Sequence, residues 1–238
     1  MEKAFEDRIL GIWADRFGTN ADYLRRPCTI VTDENDWDEA GKFVLYELGK
    51  ASVLRIGKNT LARLGAIDLN SRAVQPDDIP PPAAAQPPLL DYFLGPDDFS
   101  EHPPPSGVAA RMLDTAADHD DLMALFGACS DSDLDEADIY VDALDPVNFG
   151  IYHGDMLAAY ASYRDFDHSG LMDIGVLIHP EHRGKGLGKA VVSAICKHGI
   201  AAGDIMMYHV FCDHTHSKRI PEALGFSLLL KVHSMALG

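Results

Sequence analysis

The stretch 179-HPEHRGKGLGKAVVSAICKHG-199 decides how the rest of the chain is read. Residues 183–189 alternate three glycines with three basic residues, and an apolar helical pattern begins immediately afterwards. A helix N-terminus leaves about four amide groups without partners and carries roughly half a positive charge. Glycines just ahead of it expose bare backbone, and Arg183 and Lys185 add full charges. Together these features describe an anion site whose natural occupant is a pyrophosphate. The alternative is a glycine-rich connection that binds nothing. Two familiar phosphate loops fail. GxxxxGK[ST] breaks because Arg183 replaces its first glycine and Ala190 follows Lys189. GxGxxG breaks because the glycines fall at Gly184, Gly186 and Gly188. The pattern that holds is R-x-x-G-x-G, Arg183-Gly184-Lys185-Gly186-Leu187-Gly188, after a strand that ends in "VLIHPEH".

Working outward, "MDIGVLIHP" reads as a strand with Ile174, Val176 and Ile178 on one face, and "NFGIY" and "MLAAYASY" flank the turn "HGD" as a hairpin. The signature helix carries Leu187, Val191, Ala194 and Ile195 on one side. "DIMMYHVFC" is the next strand, "SKRIPEAL" a short helix that Gly225 ends, and "FSLLLKVHSMAL" a last strand. Upstream, "GVAARML" is a strand, "DHDDLMALFGAC" a helix with Asp118 as its cap, and "SDSDLDEADIYVDAL" an acidic mixed segment. The order from residue 107 is β-α-α-β-β-β-α-β-α-β. The fold class is α/β (α+β), a mixed central sheet flanked by helices. Ten of the 14 prolines lie between Pro76 and Pro105, so residues 76–106 read as a linker or surface strap that holds no helix or central strand. Its apolar insert "LLDYFL" is suited to docking on a domain. Residues 1–75 form a smaller α+β domain: a helix from Ala4 to Phe17, strands "CTIVT", "KFVLYEL" and "ASVLRI", then the helix "KNTLARLGAI" with Asn59 or Thr60 near its start.

The totals bound the function. At 238 residues, 47% hydrophobic and 24% charged, the chain is globular in composition, and no apolar run is long enough to span a bilayer. Its N-terminus is acidic and amphipathic, unlike a signal or transit peptide. Four dispersed cysteines form no disulfide framework, so a cytoplasmic location is expected. A net charge of −17 argues against nucleic acid or membrane surfaces as partners. The charge is uneven: residues 91–160 hold 16 acids against Arg111 alone, whereas residues 181–238 hold seven bases against four acids. A bound anion in the basic region and a bound cation near the acidic one both fit, as does a merely solvated acidic face.

The signature loop resembles the acyl-CoA motif of the GNAT superfamily of N-acyltransferases. The resemblance extends to the strand order and to "H-x-x-S-x(7)-G-F", from His214 through Ser217 to Gly225-Phe226, and covers roughly residues 107–238. It implies acetyl-CoA as cosubstrate. The pantetheine arm is expected against the backbone of Val176, Leu177 and Ile178, where the strand is bulged at Gly175 and splays from its neighbour. The pyrophosphate is expected on Arg183, Gly184, Lys185, Gly186, Leu187 and Gly188, with His214 and Ser217 nearby.

The implied reaction is acetyl transfer to a primary amine, which requires removing a proton from the ammonium and returning one to the thiolate. The tyrosine acid of many relatives would fall at Pro221, and proline donates no proton. His209 is the first candidate base, with Asp173 and His179 behind it; a core histidine, or catalysis through water, are the alternatives. Asp131, Asp133, Asp135, Glu136 and Asp138 would attract a small cationic or antibiotic-like amine. No metal is expected, since "CDHTH" (212–216) has no standard ligand spacing. A protein or peptide N-acetyltransferase and a catalytically silent acyl-CoA sensor stay open, as do a homodimer and a degenerate GNAT-like half in the first 75 residues.

Overall fold

A computed structural model describes residues 1–33, 41–65, 69, 72–80, 82–141 and 143–237. The chain divides into two compact units. One comprises Met1–Tyr92, Phe211–His214 and Leu228–Gly238; the other comprises Phe93–Val210 and Thr215–Ser227. The break at 92/93 falls within the Pro-rich stretch, and the chain's last strand belongs to the first unit.

The first unit opens with helices α1 (Lys3–Arg16) and α2 (Ala21–Leu24), followed by strands β1 (Thr29–Asp33), β2 (Lys42–Leu48) and β3 (Ala51–Ile56) and helix α3 (Lys58–Leu64). Ile9, Leu10, Trp13 and Ala14 form the buried face of α1. In β2 the alternation begins Lys42 out, Phe43 in, Leu45 in, and with Leu54 and Ile56 these side chains build a core that α3 closes through Leu64. Helix α3 starts after Gly57, and no side chain caps it; residues 66–67 of the expected helix lie outside the described residues. A short strand β4 (Ala84–Ala85) follows, then β5 (Leu89–Leu94). The Pro-rich stretch therefore does hold a strand. Pro87, Pro88 and Pro96 bracket six residues that contain no proline, and Leu90 to Leu94 are all buried.

The second unit follows the element order read from the sequence. It runs β6 (Ala110–Met112), α4 (His119–Ala128), α5 (Asp131–Glu136), β7 (Val147–His153), β8 (Met156–Asp165), β9 (Leu171–Ile178), α6 (Leu187–Ala202), β10 (Ile205–Phe211) and α7 (Thr215–Leu224). Strands β6 to β9 pair antiparallel in sequence, and β10 joins β9 in parallel. Leu122, Leu125 and Phe126 of α4 pack with Ile139, Leu157, Tyr160 and Leu177 on one face of this ladder. Successive strand residues point to opposite faces, so Ile178 turns away from Leu177 and meets the start of α6, next to Gly188. Asp118 is the N-cap residue of α4, and its carbonyl accepts the Leu122 amide, but its carboxylate makes no capping bond and instead accepts both Arg111 guanidinium nitrogens, the Asp114 amide and the Tyr152 hydroxyl. The last strand, β11 (Ser227–Ala236), pairs with β2 from Leu230↔Leu48 to Ala236↔Lys42, which gives the C-terminal strand its partner within the chain.

Candidate functional site

The site grows from the end of β9. Its register with β10 runs from Ile205↔Leu171 to Met207↔Asp173 and stops, although β9 continues to Ile178 and β10 to Phe211. On its other side β9 stays paired with β8 through Ile178. Among the described residues, Ile174–Ile178 thus present one edge with no ladder partner. Strand edges of this kind carry unpaired amides and carbonyls. The expected bulge at Gly175 is absent, since Ser162↔Gly175 lies in unbroken register. Glycine is required there for another reason: a Cβ would lie 2.5 Å from the Ala137 carbonyl oxygen.

From this edge the chain makes one tight turn at Pro180–His182 and enters the glycine loop. Gly184 and Gly186 take φ of +74° and +80°, a region that side chains disfavour, and a Cβ on either would point into open space. Gly186 is the cap of α6, so the first-turn amides of Leu187, Gly188 and Lys189 open beside uncovered backbone. Gly188 packs close to Ile220 and Ile178, which seats the helix on the strand. Leu187 is buried, whereas Arg183, Gly184, Lys185 and Gly186 are exposed.

The basic side chains have partners of their own. The Arg183 guanidinium donates to Asp133 at 2.8 Å and to the Ile178 carbonyl at 3.3 Å. Asp133 also accepts from the Ser130 amide and hydroxyl, closing a capping box on α5. Lys185 Nζ lies 3.4 Å from Nδ1 of the buried His182, whose ring packs 4.8 Å from His153 and 5.8 Å from His179. Burial, then the neighbouring Lys185 and histidines, hold the His182 pKa below its ordinary value. Ser217 is tied to the Tyr208 hydroxyl at 2.7 Å, and burial raises Tyr208 to about 12. His214 stacks edge-on against Phe211, 5.6 Å between rings. Pro221 is buried inside α7.

Just past the end of the β9–β10 ladder, His209 Nδ1 lies 3.2 Å from Asp173 Oδ1. The imidazole is 22% exposed, so it is not sealed in the core, while Asp173 is 4% exposed. Oδ1 of Asp173 has no aligned hydrogen bond despite this approach. Burial pushes the Asp173 carboxyl upward, against the pull of His209 and Arg164. Asp138, in the turn after α5 at φ +53°, brings its carboxylate to the same place and is ion-paired with Arg164. His179, also a candidate base, instead accepts the Glu181 amide through Nδ1.

The five expected acidic residues part company in the fold. Asp133 is committed to Arg183 and Asp138 to Arg164, and Glu136 accepts from Ser132. Asp131 and Asp135 line a shallow cavity of about 410 Å³ with Leu134, Ile139, Tyr140 and Val141. Sequence reasoning missed Asp133 as the partner of Arg183 and Asp138 as a neighbour of His209. Neither carries a local signal, because each pairing joins residues far apart in the chain.

With this geometry in hand, the chain can be set beside known proteins. Residues 148–234, which hold the hairpin, the glycine loop, α6 and α7, match the family described as FR47-like protein. No curated protein matches. Among solved structures, a GNAT-family acetyltransferase from Colwellia psychrerythraea is 18% identical with a TM-score of 0.49, covering 66% of this chain and 58% of that one. A GCN5-related N-acetyltransferase from Kribbella flavida is 21% identical with a TM-score of 0.47, covering 66% and 60%. A Salmonella typhimurium protein solved with its cofactor acetyl-CoA is 21% identical with a TM-score of 0.42, covering 56% and 95%. No helix among the described residues is long and apolar enough to cross a membrane.

Proposed function

We propose that the second unit transfers an acetyl group from acetyl-CoA to a primary amine. One observation carries this reading: an unpaired strand edge leads within one turn into a glycine loop at the mouth of a 16-residue helix. An extended amide-bearing arm that ends in a pyrophosphate has use for both parts in that order. The donor set fits. The edge at Val176, Leu177 and Ile178 offers backbone hydrogen bonds, and residues 183–188 offer amides, positive dipole and open space. Acetyl-CoA supplies an acyl group activated as a thioester. The chain's own residues must hold it, admit the amine and move protons.

His209 is the residue we assign to proton removal. Asp173 beside Nδ1 favours the tautomer with hydrogen on Nδ1, which leaves Nε2 to accept a proton from the ammonium. Proline donates no proton at position 221, and we assign reprotonation of the thiolate to solvent. Asp131 and Asp135 draw in a cationic amine, and Leu134, Tyr140 and Val141 give its apolar body a surface. Pro221 also favours a second reading, a silent acyl-CoA sensor, because it removes a proton donor.

Calorimetric titration with acetyl-CoA, with NAD and ATP as controls, tests the binding step. Selective binding of acetyl-CoA is the expected result, and the absence of binding by folded protein would overturn the reading. Release of free CoA in the presence of small amines then separates the enzyme from the sensor.

A further inference from the structure

The cluster that surrounds His209 contains more than the proton acceptor, and the inference drawn from it rests on the assignment of His209 to proton removal. Asp138, Asp173 and His209 each offer one ligand atom, and these atoms all lie within 4.8 Å of one another. They come from three separate places in the second unit: the turn after α5, β9, and β10. We propose that these three residues form a binding site for a first-row divalent metal ion such as Zn²⁺, and that a bound ion silences His209 as a proton acceptor.

The argument starts from Asp173. Asp173 is 4% exposed, and its Oδ1 has no aligned hydrogen bond in the interior. Such groups are costly unless a donor or cation meets them. Asp173 Oδ1 faces His209 Nδ1 at 3.2 Å. Tetrahedral Zn²⁺ bonds of about 2.0–2.2 Å put ligand atoms about 3.4 Å apart, so this pair already has the required separation. Asp138 must close by roughly a further ångström on the same geometric ground. One imidazole nitrogen with two carboxylate oxygens suits borderline ions such as Zn²⁺ or Co²⁺, not soft Cu⁺. Water completes the coordination, as in three-ligand zinc sites.

Arg164 is the competitor, since its guanidinium pairs with Asp138. It has other places to rest: the Asp138 carbonyl at 2.8 Å, Asp145 at 3.4 Å and the Tyr140 ring, whose centroid is 5.3 Å away. An ion can therefore take the Asp138 carboxylate without stranding the guanidinium. Ligation through Nδ1 leaves the single imidazole proton on Nε2, and a protonated Nε2 cannot take a proton from an ammonium.

The test is calorimetric titration of the chelator-treated full chain with Zn²⁺, paired with the visible absorption of added Co²⁺. One site per chain is expected, with affinity lowered at least tenfold in Asp173→Asn and in His209→Gln, and with the Co²⁺ bands lost in both. His209 is partly exposed, so His209→Gln decides the matter if Asp173→Asn does not fold. Two results would overturn the proposal: no Zn²⁺ binding below about 100 µM, or binding that survives His209→Gln and is abolished by His182→Gln, which would assign the ion to the histidine group by the loop. Acetyl-CoA titration of the same samples reports separately on the proposed function.

Discussion

The glycine loop and the His209 cluster are two ways for one chain to build a charged site. The loop is local: Arg183 to Gly188 are consecutive, two positive-φ glycines set its shape, and its ligand groups are mainly backbone. The cluster is assembled from Asp138, Asp173 and His209, which meet only because β9 and β10 part after Met207↔Asp173 and because Gly175 lets the 137–139 turn approach the sheet. A local site depends on backbone conformation and survives many changes elsewhere. An assembled one depends on the whole unit and is sensitive to each partner's charge.

The largest expected effects separate the two regions. In chelator-treated protein, His209→Gln should lower turnover of the preferred amine about 1,000-fold, within the range a positioned base contributes, and leave acetyl-CoA affinity unchanged by calorimetry. Equal losses of turnover and affinity would show that the regions are not separable. Gly186→Asp should do the reverse, weakening acetyl-CoA binding by about 100-fold, or about 2.7 kcal/mol, with far-UV circular dichroism unchanged. Unaltered affinity would remove the loop from the site.

Smaller effects sharpen the contrast. Asp118 gathers charge-assisted hydrogen bonds, which hold its carboxyl below the usual range, the Arg111 guanidinium contributing most. Asp118→Asn should cost about 2 kcal/mol at pH 7 by denaturant melts. A depressed folded pKa stabilises above the unfolded value near 4, and that benefit is lost as pH falls toward the folded value. The gap between wild type and variant should therefore narrow steadily as pH falls below the unfolded value; a gap as wide in acid as at pH 7 would refute the charge argument. Least of all, Asp133→Asn should tighten acetyl-CoA binding only about threefold. The Arg183–Asp133 pair is half exposed on the Arg183 side, and such pairs contribute little. Weaker binding instead would mean that the ion pair shapes the loop.

The element order from β6 to β11 was legible because periodicity and turn residues are local signals, and "HGD" and the glycine loop punctuate them clearly. The proline count misled at β5, where six residues between prolines form a strand that composition averaged away. The position of the loop and the start of the helix after it were legible, but the partners of its basic side chains were not. Nothing local tells Arg183 to reach Asp133, 50 residues earlier. The sequence likewise offered "CDHTH" as its one metal-like segment, whereas the ligand atoms that converge come from positions 138, 173 and 209. Gly175 shows the same limit, as a bulge and a close backbone approach both call for glycine.

The pairing of β11 with β2 sets a schedule for synthesis. Leu48 and Leu230 are neighbours in the ladder, yet about 180 residues of chain must be made between them. At roughly 5–20 residues per second this leaves the β2 edge waiting for about 10–40 s on the ribosome. During that interval Phe43, Leu45 and their neighbours lie along an open strand, the kind of surface that invites pairing with another nascent chain. The first unit to emerge is thus the last to be completed, and a slow or crowded translation apparatus would penalise it before any ligand is met.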